Sequence, residues 1–498
     1  MVLPFQFSWP LLLFFWVFWL IIFPGYLVLY LVFKEKFNFY ERIGMSFAFG
    51  FIVFSLFGVL GYFFSLPLNF ILLSISIVNI LLLLFLIIKR QLFQSFFPYL
   101  RNIKKRKDFL KIGIVLILFS LIFSLISFGA GWFPRGDTAI HLQAIRKIVS
   151  QKNINKPIYS LNTKPPLWDH AYDTYYLLIA TITKYSSLDL TVVWHYLSGI
   201  FSLLLPFVVF VFLKNLKASN LLIFNSLLFL LLIEFFIGIR SGPVLNTFVS
   251  PNRAYLFLIF PVAILFFLKY LSERELLYGI ASSTIAVFQI LIHQNGFLFY
   301  YWLVGGFLIL FLLLYKYHKD IFKKIIFILA LTTIFALPLL LLKLSYNQSL
   351  HQLATEYRPW ESYYHFWHLT KGFYAFNFSS FLNFKDLMTS IIVIFIGYRI
   401  FKSRKKNKFE FLEGFLFISF LVPIFIKYNP FLMPFFSRLT SYSSVGRMTR
   451  LQMDFLIFAY GFTMVIKYLT SRLRVYLPRL KNNFLLYGAS YFFLIFFF

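Results

Sequence analysis

Apolar runs of about twenty residues recur along nearly the whole chain, and no other feature narrows its possible folds so far. They cover roughly residues 5–33, 43–65, 68–88, 112–130, 190–213, 219–239, 254–271, 276–292, 297–315, 325–343, 386–401, 410–427, 451–468 and 484–498. A backbone that enters hydrocarbon must satisfy its own N–H and C=O groups, and a helix does so within one segment. The expected class is therefore all-α: a polytopic transmembrane helical protein with about 14 spans. With 60% hydrophobic and 13% charged residues and a mean hydropathy of +0.81, a soluble domain is excluded. No basic residue precedes the first run, so it reads as a retained span and not a cleaved leader.

Charge orients these spans. Lys89 to Lys111 carries eight basic residues against Asp108 alone, a cytoplasmic signature. The net charge of +30 follows the same bias toward anionic lipid headgroups, so no nucleic-acid partner is called for. Alternating the spans from that loop leaves outer loops at 130–189, 344–385 and 428–450. Seven of the eight histidines then fall outside, with His318 alone inside, which places any chemistry at the outer face. Residues 1–111 form an N-terminal set of spans closed by the basic loop, and 112–498 form the core. With no cysteine, neither disulfides nor thiol chemistry enter the account.

The first outer loop runs from Trp132 to Asp189 and reads Trp132-Phe133-Pro134-Arg135-Gly136-Asp137-Thr138 at its start. Pro134 and Gly136 end one helix, and Asp137 or Thr138 can cap the next. Ile140, His141, Ala144, Ile145 and Ile148 then share one helical face, while Gln143, Arg146, Lys147 and Ser150 share the other. This predicts an amphipathic helix lying on the membrane surface. Asp137 and His141, four apart, point to one side at its start. An ionisable pair directed inward there marks a candidate site, though Asp137 could, more simply, be a helix cap. Ala171 to Ser187 is apolar but short, and reads as half-embedded.

The segment Asp137-Thr138-Ala139-Ile140-His141-Leu142, just after a span, resembles the first outer loop of GT-C membrane glycosyltransferases, among them oligosaccharyltransferase catalytic subunits. Lys164-Pro165-Pro166-Leu167 is similar to the Tyr-Pro-Pro-Leu that opens the next helix in that family, with Lys164 where an aromatic is common. Ser250-Pro251-Asn252-Arg253, His293-Gln294-Asn295-Gly296 and Arg447-Met448-Thr449-Arg450 resemble further outer-edge features of the group. Three spans precede the family's usual first one. The resemblance covers roughly 112–470. It implies transfer of a sugar from a polyprenyl-phosphate-linked donor to a glycan, lipid or protein acceptor. The setting it implies is the outer face of a bacterial or archaeal plasma membrane. It also implies that Asp137 acts as general base or as the ligand of a divalent cation such as Mg or Mn. Arg447, Arg450 and Arg253 would then hold the donor phosphate.

Other polar residues at the outer edge join the list. Asp169 and Asp173, with His170 between them, could supply a second carboxylate or serve as solvated caps. Glu234 sits near the outer end of a span, where it could snorkel or pair with Arg240, and His293 lies at another span edge. His365 and His368 have helical metal spacing, but no His-Glu-x-x-His pattern completes a site. No Walker loop or dinucleotide fingerprint is present. Two other classes stay open: a lipid-linked polysaccharide polymerase or ligase of another fold, centred on 344–385, and a transporter or flippase without covalent chemistry. The second would favour internal repeats and interrupted helices at mid-membrane, and no repeat is evident.

Overall fold

The computed structural model describes residues 8–88, 103–130, 138–154, 172–236, 248–345, 366–370, 373–376, 384–404, 409–427, 432 and 454–476. They are helical apart from one short antiparallel hairpin, β1 (Phe366–Thr370) with β2 (Phe373–Phe376). In order the helices are α1 (Ser8–Phe33), α2 (Phe39–Phe63), α3 (Leu68–Ile88), α4 (Ile103–Ala130), α5 (Thr138–Ser150) and α6 (Thr174–Ser186). Next come α7 (Leu190–Asn215), α8 (Asn220–Phe236), α9 (Tyr255–Glu273), α10 (Leu276–Leu291), α11 (Gln294–Leu313) and α12 (Tyr315–Ser345). The last three are α13 (Phe384–Lys402), α14 (Phe411–Lys427) and α15 (Asp454–Tyr476).

Among the described residues eight helices are long and apolar enough to cross a membrane, and three shorter apolar ones accompany them. The run expected at 484–498 lies outside the described residues. The second span begins earlier than its hydropathy indicates. Asn38 accepts from the Glu41 N–H at 3.0 Å and the Glu41 carboxylate accepts from the Asn38 N–H at 2.7 Å, a reciprocal cap that starts α2 at Phe39. Glu41 and Arg42 are thereby drawn inside, Arg42 lying 4.5 Å over the Tyr30 ring. His368 sits on β1 opposite Tyr374 and so on a strand and not a helix, while His365 lies outside the described residues.

Two spans carry a π-helical turn, Phe18–Ile22 in α1 and Tyr255–Ile259 at the start of α9. Each is followed by Phe-Pro, at Phe23-Pro24 and Phe260-Pro261. Proline has no N–H to return to the preceding turn and its ring crowds that turn's carbonyls, so the helix widens. In α1 the side chain of Asn79 repairs the loss, donating to the Trp19 carbonyl at 2.8 Å, while Trp19 Nε1 donates to Ser76 at 3.0 Å.

Burial sorts the helices into post and perimeter. The apolar window of α7 is 94% buried, whereas those of α3 and α12 are 22% buried and present rows of exposed leucine and isoleucine. The chain ends of the spans also sort by chemistry. Lys36 pairs with Glu275, Asn215 donates to Glu41 at 3.2 Å, Lys269 bridges Glu273 at 2.7 Å, and Arg274 lies 3.6 Å from Asp320. Segments assigned by charge to one side therefore meet at one basic end. A second ionic knot ties the last helices: buried Glu413 of α14 accepts from Arg399 of α13 at 2.9 Å and from the Tyr460 hydroxyl of α15 at 2.5 Å.

Candidate functional site

The end opposite the basic one is organised by four consecutive residues at the start of α6. Asp173 caps the helix, its Oδ1 accepting from the N–H groups of Tyr175 at 2.9 Å and Tyr176 at 3.2 Å. Its carbonyl accepts from Tyr62 of α2 at 3.1 Å. Thr174 pairs with Ser55 of α2 at 2.7 Å and reaches the Leu291 carbonyl at the end of α10 at 3.5 Å. The Tyr175 hydroxyl donates to the Val249 carbonyl at 2.6 Å, and Tyr176 meets His141 Nδ1 at 2.5 Å. Three successive side chains and the Asp173 carbonyl thus bind α2, α10, the segment before α9, and α5.

The sequence dictates this hub in part. An aspartate before Thr-Tyr-Tyr supplies a cap, and α6 is polar and apolar on all sides, which suits a helix surrounded by protein. Of its thirteen residues only Lys184 and Tyr185 are not buried. The element expected to be half-embedded is enclosed by protein, and Asp173, expected as a second carboxylate or a solvated cap, is a fully buried cap. The hydroxyls of Thr174, Tyr175 and Tyr176 had no signal in the periodicity, because their partners lie 35 to 119 positions away.

The surface helix expected at the start of the outer loop is α5. His141, Ala144, Ile145 and Ile148 are buried and Gln143, Arg146 and Ser150 exposed, with Lys147 between, as its pattern requires. The His141 ring stacks 5.7 Å from Trp194 of α7 and bonds Tyr176, so the imidazole is turned inward. Asp137 lies outside the described residues; α5, which it immediately precedes, opens with buried Thr138. Asp189 caps α7, and its carboxyl is held below the usual carboxylate range, first by the Thr191 hydroxyl and further by Thr191 and Val192 N–H groups and the charge of Arg146.

The remaining candidates divide. Arg253 sits on the short turn Pro251–Ala254 leading into α9, four residues after the Val249 carbonyl held by Tyr175. His293 is buried and caps α11, Nδ1 accepting from the Asn295 N–H at 3.3 Å, with its ring 6.0 Å from that of Tyr255. His141 and Asp173 therefore belong to the hub itself, while Arg253 and His293 follow by four and two residues the carbonyls of Val249 and Leu291 that it holds. Glu234 lies on α8, and Asp169, Arg447 and Arg450, like Arg240 and His170, fall outside the described residues. Among the described residues no three of His, Asp and Glu converge as a metal-ligand set. No protein-family model, no curated protein and no solved structure matches this chain.

Proposed function

We propose that the chain is a multi-pass membrane glycosyltransferase of GT-C type, moving a sugar from a polyprenyl-phosphate-linked donor to a glycan, lipid or protein acceptor at the histidine-bearing, outer end of the helices. The observation that supports it best is the α6 hub, which bonds the helix following Asp137 and the carbonyls of Val249 and Leu291, just before the turn bearing Arg253 and the cap His293. These are the segments whose sequences resemble the family. In this reading Asp137 takes the proton of the acceptor hydroxyl as its oxygen attacks the anomeric carbon. The bond from that carbon to the donor phosphate breaks, and the electron pair leaves with the lipid phosphate. Arginine suits the departing phosphate because its planar fork donates two parallel hydrogen bonds. Arg447, Arg450 and Arg253 are assigned that task. His141 positions α5 through Tyr176 and Trp194.

The decisive comparison is Asp137→Asn with Asp137→Ala on expression-matched membranes supplied with lipid-linked donor. Asparagine caps a helix as well as aspartate but neither accepts a proton nor carries charge. Transfer should fall by about 10²–10⁴ in the Asn variant with folding intact. Wild-type turnover by Asp137→Asn would leave Asp137 as a cap and end the assignment.

A further inference from the structure

Gln289 is fully buried at the last turn of α10, and among the described residues neither its Nε2 nor its Oε1 has a hydrogen-bond partner. Asn295, 1% exposed in the first turn of α11, leaves its Oδ1 without one as well. Unsatisfied carboxamides in an apolar span are costly, and a fold keeps them where something else completes them. Their setting is irregular on both sides. The last turn of α10 tightens to a 3₁₀ turn at Gln289–Leu291, and the neighbouring Tyr255 opens the π turn of α9. Such departures are tolerated at membrane depth against protein or a polar space, and π turns gather at functional positions.

The Gln289 amide is aimed at the N-terminus of α11. A Cβ built on Gly296 would lie 2.6 Å from Gln289 Oε1 and 2.9 Å from Tyr255 Cδ2, so only glycine lets the amide lie between that turn and the tyrosine ring. His293, as cap, already takes the Asn295 N–H. What is unmet is mixed: two N–H donors on Gln289, and acceptor oxygens on both Gln289 and Asn295. An anion would answer the donors but set its charge against two carbonyl oxygens. A cation would answer the oxygens and strand the donors. A hydroxyl both gives and takes.

We propose that this helix break binds a neutral, hydroxyl-bearing headgroup, with Gln289 and Asn295 as its recognition pair. The inference concerns binding and is independent of the transfer step assigned to Asp137. It is tested with the full chain in phosphatidylcholine nanodiscs, titrated calorimetrically with decyl β-glucoside below its micellar concentration and, separately, with decyl phosphate. No lipid-linked donor is present, so failure here leaves the transferase reading standing and the reverse also holds. The expected result is saturable binding of the glucoside in preference to the phosphate, weakened about tenfold or more by Gln289→Leu or by Gln289→Met, which keeps the side-chain length. Both variants should also melt higher than the parent, because an unmet buried amide is removed; a Gln289 serving the fold alone would melt lower on substitution. Absence of saturable glucoside binding, preference for the phosphate, or undiminished binding by the two variants would each overturn it.

Discussion

At the scale of single residues, close approach of backbones decides more than side-chain chemistry does. A Cβ on Gly50 of α2 would fall 1.8 Å from the Ile21 carbonyl of α1, and one on Gly25 would fall 1.9 Å from the Ser46 carbonyl. The two helices cross with nothing between them, the arrangement that small residues permit inside membranes. Gly50→Ala should therefore cost more than the roughly 1–3 kcal/mol typical of overpacking, since the obstacle is backbone and cannot rotate away. A Cβ on Gly305 of α11 would meet nothing within 4 Å among the described residues. Gly305→Ala should be neutral or gain up to about 1 kcal/mol of helix propensity. Melting temperature and monodisperse yield of the pair in one detergent check both, and equal behaviour would contradict the close crossing. The Ser46-x-x-x-Gly50 spacing was not read as a contact, and by itself it names a surface and not the neighbour at Ile21.

At the scale of elements, caps and faces were the readable part. The two faces of α5 follow from its apolar period, and burial of His141 follows with them. The start of α2 was misplaced by a few residues because hydropathy stops at charge, whereas the Asn38–Glu41 cap does not. α6 was half legible: its length and cap were present, but its complete burial depends on α2, α5, α7 and α10 surrounding it. Asp189 gives a prediction at this scale. Its carboxyl, the cap of α7, is held below the ordinary value of 3.8. A depressed folded pKa contributes stability that is present above that ordinary value and is lost as pH falls through the lower, folded one. The gap in melting temperature between the parent and Asp189→Asn should thus be steady from pH 7 to 5 and close in more acid solution. Asp189→Ala should lose the cap at every pH, about 0.5–2 kcal/mol and toward the low end, because the side chain is exposed. A gap that widens below pH 4 would refute the assignment.

At the scale of the molecule, the charge pattern is legible as geometry. Segments that alternate in the sequence separate into a basic end knotted by Lys36, Glu41, Lys269 and Glu275 and an opposite end built around α6. Membrane orientation is the testable extension. Single cysteines placed within Lys89 to Lys111 and within Trp132 to Asp189, in a chain that has none of its own, should be protected and labelled respectively by an impermeant thiol reagent in intact cells. The reverse pattern would turn the histidine-bearing end inward and remove the outer-face reading. One further consequence belongs to α7, the helix at the centre. Its apolar window is 94% buried, so its greasy surface never faces lipid in the finished protein, and its neighbours include α4 and the segment at Phe248, both bonded to Ser198. Hydrophobicity on such a helix serves biogenesis: it is what the insertion machinery reads while the nascent chain enters the bilayer. Most of its packing is against α1, α2 and α4, which precede it, and the rest arrives only with α8 and α9, so its enclosure is completed after those helices are made, and its serines and His195 wait until then.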